Sequence, residues 1–469
     1  MIAKTLVRKL LITGGVLLVS VILYRALQDD TIYKSSLGRV TFNYEHSGKG
    51  RGSKIEEVYK PYQQWSDKSI EHWDGALYKQ IKEEAYRPLS PGSKEKLAFY
   101  PLFPWLWKLC NAGPVTIVFL NYLLFVIGLL ILADAFEAER GVSSFYFLAA
   151  LLLPTAMIYY LPYAESLFLL TMSVAVWGIR KGRYWVFAIG VFLFCMTRPS
   201  ALIFIMALVC VDIVYFVQHR NFKHFVRELL LKILPCLAGF FVVTGIQYVF
   251  SGSLTAYFDS LELWPAESGF FNTVRDWSKE GFGMSVFSVF FVCIPALIAV
   301  VVWGIRSLIG KEKQDALSLF GQGSAWNKDY LWYLSLLFIA ANLLYTFLVS
   351  GNRINGFSRY TLAVPFFYIV FFLFPGRIAQ VSPRILLLSF LVCLIGMTLF
   401  LSQVEYGGNR FVFAYAGMYL FLLLTMLILS ERYLPGKLRW VLMAGLVLPC
   451  ILWHTYLFNM FVSDAWIFT

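Results

Sequence analysis

The sequence predicts an all-α polytopic membrane protein of about 13 transmembrane helices, with a large first loop outside the membrane that carries amphipathic helices. Two observations predict it. Hydrophobic residues fill 59% of the 469 positions and charged ones 14%, with aromatics at 18%, against about 45–50% apolar and about 25% charged in a soluble domain. Apolar runs near the ~17–25 residues that a bilayer requires recur along the whole chain. A disordered chain needs low hydrophobicity and high net charge, and a large soluble enzyme needs far more polar surface. Both classes are excluded.

The first run, Leu10 to Leu27, follows Lys4, Arg8 and Lys9 and precedes Asp29 and Asp30. A signal peptide also starts basic and then apolar, but no small-residue cleavage site follows, so residues 1–27 read as an uncleaved first transmembrane helix with a cytosolic N-terminus. Residues 28–113 form a polar exoplasmic loop. Runs centred near 125, 151, 171, 190, 208 and 240 make 114–250 a block of spans, with only Thr197-Arg198-Pro199 between the fourth and fifth. Residues 251–283, rich in Trp, Asp and Glu, form a second exoplasmic loop. Runs centred near 294, 340, 367, 393, 420 and 448 fill the C-terminal segment 284–469.

Loop charge tests this scheme. The formal net charge is +12, which in a soluble protein would suggest nucleic acid. Here the excess lies in the short loops expected in the cytosol: Arg180, Lys181 and Arg183; Arg220, Lys223 and Arg227; Arg306, Lys311 and Lys313; Arg377 and Arg384; Arg432, Lys437 and Arg439. That is the positive-inside pattern, so no nucleic-acid partner is expected and the C-terminus is exoplasmic. The seven cysteines lie mostly inside apolar runs without CxxC or Cys/His clusters, so neither a metal site nor a disulfide framework is expected.

The first loop is the informative stretch. Ile70, Trp73, Leu77, Ile81 and Ala85 recur at helical spacing, which predicts an amphipathic helix. On a wheel of about 100° per residue, Asp74 falls among the apolar positions, whereas Lys68, His72, Lys79, Lys82 and Glu83 point away. Asp74 is then either a helix cap or packed ion pair, or a carboxylate aimed at the membrane boundary for base work. His72 reads first as a solvated residue. Asp67, on the same side two turns earlier, is the reserve carboxylate, and Glu71 is a solvated neighbour. Downstream, Leu97 to Trp107 is too short and too Pro-interrupted to span, and its Trp and Tyr content suits the headgroup level.

At these residues a family resemblance enters. His72-Trp73-Asp74-Gly75, then Leu77-Tyr78, Ile81 and Tyr86, then Ala98-Phe99-Tyr100-Pro101-Leu102-Phe103-Pro104 resemble the first luminal loop of the PIG-V-type mannosyltransferases, a branch of the GT-C glycosyltransferase superfamily. Tyr163-Ala164-Glu165-Ser166 resembles that family's Tyr-Ser-Glu-Ser segment, and Thr197-Arg198-Pro199-Ser200 its Thr-Arg-Ser-Asn, with Pro199 and Ser200 as departures. Ser358-Arg359-Tyr360 matches weakly. The resemblance covers residues 62 to 200. It implies a GT-C fold and transfer of a sugar, in the family mannose, from a polyprenyl-phosphate donor to a lipid, glycolipid or other membrane-proximal acceptor hydroxyl.

Such a transfer needs a base beside the acceptor hydroxyl, positive charge against the departing phosphate, and membrane lipid around the polyprenyl chain. Asp74 is the expected base. Arg198 and Arg359, at the exoplasmic ends of spans, are the expected phosphate ligands, since a guanidinium suits multi-donor phosphate contact. The plain alternative for both is a snorkelling arginine that anchors a helix end. Glu165, in a short turn near lipid, is a site candidate unless it is simply exposed. With His72, Trp73, Tyr78 and Tyr100 of the motif string, it makes up the expected substrate-binding set. Asn121 is explained by interhelical hydrogen bonding. Inversion is expected, with no metal and no cofactor. The compact cytosolic loops point to a bacterial inner membrane, the endoplasmic reticulum being the alternative. The rival readings are a transporter or flippase of a lipid-linked sugar, which would show paired broken spans, and a non-catalytic membrane scaffold.

Overall fold

A computed structural model describes residues 2–32, 43–47, 54–58, 62–87, 91–136, 144–261, 284–309, 326–349, 356–379, 381–403, 414–430 and 433–464. Every apolar run named above lies in a helix. The first is α1 (Ile2–Leu27). The first loop holds α2 (Asp67–Ile70), α3 (Asp74–Glu84), a 3₁₀ segment (Pro91–Ala98) and α4 (Leu102–Leu109). The bundle continues through α5 (Pro114–Ala135), α6 (Ser144–Leu152), α7 (Glu165–Arg180), α8 (Tyr184–Cys195), α9 (Ala201–His219) and α10 (Phe222–Ser251). After the short α11 (Ala256–Leu261) come α12 (Met284–Leu308), α13 (Trp326–Val349), α14 (Phe357–Thr361), α15 (Pro365–Ile378), α16 (Pro383–Gln403), α17 (Ala414–Leu429) and α18 (Gly436–Val462). Residues 262–283, most of the second loop, lie outside the described residues.

Local chemistry sets the boundaries. Pro114 opens α5 at its first position, where a missing N–H costs nothing. The Asn221 side chain accepts from the His224 backbone N–H at 3.1 Å to start α10, and Gly252, at φ 72°, ends it. A π turn over Val289–Cys293 interrupts α12.

Six of the described helices are long and apolar enough to cross a bilayer: α5, α9, α10, α12, most of α16, and α18. The run near 151 is not a span of its own. It is divided into α6 and a 3₁₀ segment, Pro154–Tyr160, which meets α7 at a bend of 100°. Pro154 and Pro162 explain the break, since each removes a backbone donor and bars helical continuation. The expectation of helices alone also misses a small antiparallel hairpin, β1 (Asn43–Ser47) and β2 (Lys54–Val58), with Tyr44 opposite Glu57. Gly48, Gly50 and Gly52 between the strands are the turn signal that hydropathy ignores.

The bundle is aromatic inside and apolar outside. Phe125 stacks on Tyr159 at 4.4 Å and Phe338 on Phe366 at 3.9 Å. On α16, Leu387, Leu388, Val392 and Ile395 face outward, where a helix in water would carry charge. The molecule is thus a multi-pass membrane protein whose bundle is entirely helical. Helices α7 and α8 touch backbone to backbone, because a Cβ on Gly190 would lie 2.6 Å from the Ala175 nitrogen. Small residues permit such approaches where lipid supplies no hydrophobic drive.

The first loop is fastened across one end of the bundle. Trp65 donates to the Leu27 carbonyl at 3.2 Å and packs tilted against Phe458 at 4.5 Å. Gln247 donates to Leu97 at 2.7 Å, and the Leu102 N–H donates to Met196 at 3.2 Å. The second of these joins the loop to the turn that carries Arg198.

Candidate active site

The predicted amphipathic helix is broken in the middle. Helix α2 stops at Ile70, and α3 restarts at Asp74. Between them Trp73 takes a positive φ of 51°, a left-handed backbone that is costly for a bulky residue. The break puts Asp74 in the first turn of α3, where the helix dipole favours an anion. Gly75 then packs against the turn before α7, since a Cβ there would lie 2.7 Å from Pro162 Cγ. A glycine after Asp74 is what lets the loop approach that turn.

The approach brings four charged side chains together. Arg359 donates through Nη1 to Asp74 Oδ2 at 2.6 Å and through Nε to Glu165 Oε1. Arg198 pairs with the same Glu165 oxygen. Glu165 is 1% exposed, Arg359 4% and Arg198 7%. These values exclude an exposed turn for Glu165, and the ion pairing, not an interfacial anchor, accounts for both arginines. Their cationic faces also lie over aromatic rings, Arg359 over Tyr163 at 4.6 Å and Arg198 over Tyr360 at 5.6 Å. Such contacts favour a desolvated guanidinium.

The two acids are used differently. Asp74 keeps 22% of its side chain exposed, and its Oδ1 has no hydrogen-bond partner among the described residues. Glu165 is enclosed, with Oε2 buried and without a hydrogen-bond partner among the described residues, a costly arrangement in a packed interior.

Asn121, expected to hydrogen-bond between helices, bonds instead to the turn before α7. Fully buried, it donates to the Leu161 carbonyl and to the Tyr163 carbonyl, the latter at 3.0 Å. It thereby fixes the turn that presents Glu165 and receives Gly75. A lone asparagine in an otherwise apolar run was the available signal.

The remaining sequence candidates are distributed around this cluster. Tyr78, one turn after Asp74 on the same side of α3, is buried edge-on to Phe99 at 5.1 Å and Phe103 at 5.0 Å, close enough to interact with all four charges, and burial pushes its phenol well above the usual range. Tyr100 packs beside Phe240 and Tyr257, next to Met196 and away from the four charges. Trp73 is 43% exposed. His72 is neither solvated nor in the cluster: its Nδ1 lies 3.2 Å from Asp464 Oδ1, and its ring is edge-on to Phe461. The wheel failed for it because the helix does not run through positions 71–73. Asp67, the reserve carboxylate, accepts from the Val115 N–H at 3.0 Å and so caps α5. Lys82 does not point to water but donates to the Ala112 carbonyl at 2.9 Å. Among the described residues no group of three or more His, Cys, Asp or Glu side chains is placed to hold a metal ion.

No protein-family model matches the chain, and no curated protein matches it either. Among solved structures it is similar to the crystal structure of ArnT from Cupriavidus metallidurans bound to undecaprenyl phosphate. The identity is 13%, over 86% of this chain and 74% of that chain, with a TM-score of 0.41.

Proposed function

We propose that this protein is a membrane glycosyltransferase of the GT-C type. It moves a sugar, mannose by the motif resemblance, from a polyprenyl-phosphate donor to the hydroxyl of a lipid or glycolipid acceptor on the exoplasmic side. The observation that carries this reading is the contact of Asp74 with buried Arg359, which shares Glu165 with buried Arg198, at the end of an apolar bundle. A carboxylate with one open oxygen, held beside two guanidiniums at a lipid boundary, is the equipment for deprotonating an alcohol next to a phosphate.

In the proposed step the acceptor oxygen attacks the anomeric carbon from the face opposite the phosphate. The carbon–oxygen bond to phosphate breaks as the new glycosidic bond forms, so the anomeric configuration inverts. The acceptor proton passes to Asp74 Oδ1, and the released lipid phosphate keeps its electron pair against Arg359 and Arg198. Glu165 orients both guanidiniums, and Asn121 holds the turn on which Glu165 sits. Arg359 and Arg198 are the groups set against the leaving phosphate, and the proposed step includes no metal.

The test is transfer itself. Purified protein is incubated with radiolabelled polyprenyl-phosphate mannose and membrane lipids, and a labelled glycolipid is sought. Wild type should form it, and Asp74→Asn, with normal expression and folding, should not. Undiminished transfer by Asp74→Asn would remove the base assignment, and no transfer from any polyprenyl-phosphate sugar by wild type would remove the enzyme.

A further inference from the structure

We infer that Asp74 and the donor phosphate compete for one guanidinium, so that donor binding is the event that releases Asp74 from Arg359 and readies it as a base. The inference rests on the glycosyltransferase reading and adds an order of events to it: donor first, acceptor activation second.

The reasoning starts from charge. Two carboxylates already neutralise two guanidiniums in the cluster. A lipid phosphate entering the same site adds net negative charge to a place poorly reached by water, which is costly unless a carboxylate gives way. The two acids are not equally able to move. Glu165 has a side chain with no exposure, takes both arginines on one oxygen, and sits at the start of a helix whose preceding turn is held by Asn121. Asp74 is partly exposed, makes its contact through Oδ2 alone, and belongs to a loop helix entered through the strained Trp73.

Arg359 is also divided in a useful way. Its Nε is committed to Glu165, which fixes the guanidinium plane, while the terminal Nη1 faces Asp74. Phosphate contact at that terminal edge substitutes one oxyanion for another without disturbing the buried half. The arginine keeps its charge balanced at each stage. The freed carboxylate remains in the first turn of α3, beside the site where the acceptor must arrive. An enzyme built this way does not hold an unpaired base near lipid hydroxyls until the donor is in place.

Competition makes a prediction of unusual sign. Removing the charge of Asp74 should strengthen phosphate binding while it ends transfer. The experiment titrates a short-chain polyprenyl phosphate without sugar into full-length wild type, Asp74→Asn, Asp74→Ala and Glu165→Gln in lipid nanodiscs. Binding is read by calorimetry, and transfer is assayed on the same preparations. Either Asp74 variant should bind roughly tenfold more tightly than wild type, and Glu165→Gln, which loses the anchor of both arginines, more weakly.

Unchanged or weaker binding by the folded Asp74 variants overturns the competition, even if their transfer is lost and the enzyme reading survives. Tighter binding with transfer retained supports the competition but removes Asp74 as base. Absence of polyprenyl phosphate binding by every form overturns both.

Discussion

Two ion clusters lie in the helical bundle, and they differ in how fully their carboxylates are used. At the first-loop end, Asp74 and Glu165 meet Arg198 and Arg359, and two acid oxygens are left without a hydrogen-bond partner among the described residues. Roughly 16 Å further along α9, by its rise per residue, Asp212 meets Lys232 and Tyr330. Lys232 donates to both Asp212 oxygens, at 2.7 and 2.8 Å, and Tyr330 donates to one of them at 2.9 Å. All three side chains are nearly inaccessible. The second cluster is built from helix interiors of α9, α10 and α13, whereas the first is built from a loop, a bend and two helix starts. Saturated acceptors tie helices together. Acceptors left open on movable backbone are free to take a proton or a substrate hydroxyl.

The largest expected effect falls on the open cluster. Arg359→Gln keeps the Glu165–Arg198 pair and should leave folding intact, yet it removes charge from the proposed leaving-group site. Transfer should fall on the order of 10³-fold, in the range seen when a charge-stabilising donor is lost. The measurement is kcat from the labelled-glycolipid assay, with thermal denaturation in detergent as the folding control. If kcat falls less than tenfold, the open cluster is no more than another helix tie, and the contrast between the two clusters fails.

The saturated cluster should respond in the opposite way. Lys232→Met leaves Asp212 buried without its cation, which should cost about 3 kcal/mol or more of stability. Pairing it with Asp212→Leu should restore most of that loss, because two apolar groups need no partner. Transfer per folded molecule should stay at the wild-type level in both variants. If the double variant is as stable as wild type but inactive, the Lys232 cluster takes part in function, and saturation ceases to be the dividing criterion.

Much of the fold was legible in the sequence because bilayer insertion demands long apolar runs, and each run became helix. The breaks were harder to read. Trp73 interrupts a good amphipathic pattern beside the approach of Gly75 to Pro162, a contact between segments that periodicity does not encode. The bend before α7 was foreshadowed by Pro154 and Pro162, but hydropathy averages over both. Glu165, Arg198 and Arg359 were each visible as charges at the edges of apolar runs, and Asp74 as a carboxylate among the apolar positions of an amphipathic helix. The pairing of Asp74 with Arg359 was not, because the two stand 285 positions apart, and nothing local to either names the other. His72 and Asp67 were misplaced for a related reason: both were assigned faces on one continuous helix that the tertiary contacts divide.

Asp67 offers the smallest and most discriminating effect. It lies seven positions before Asp74 in the same loop, so a sequence argument can exchange the two. Their partners separate them, a guanidinium for Asp74 and the backbone N–H of Val115 for Asp67. A cap needs an acceptor oxygen and tolerates loss of charge, whereas a base needs the charge itself. Asp67→Asn retains an oxygen for the Val115 N–H, so stability should drop by a few tenths of a kcal/mol at most, and transfer should change less than about threefold. Asp67→Ala removes the acceptor and should cost about 1 kcal/mol, read as a lower denaturation temperature, again with little change in transfer per folded molecule. An Asp67→Asn protein that is stable and inactive would mean that the proton leaves through Asp67, and that the pairing of Asp74 with Arg359 is structural.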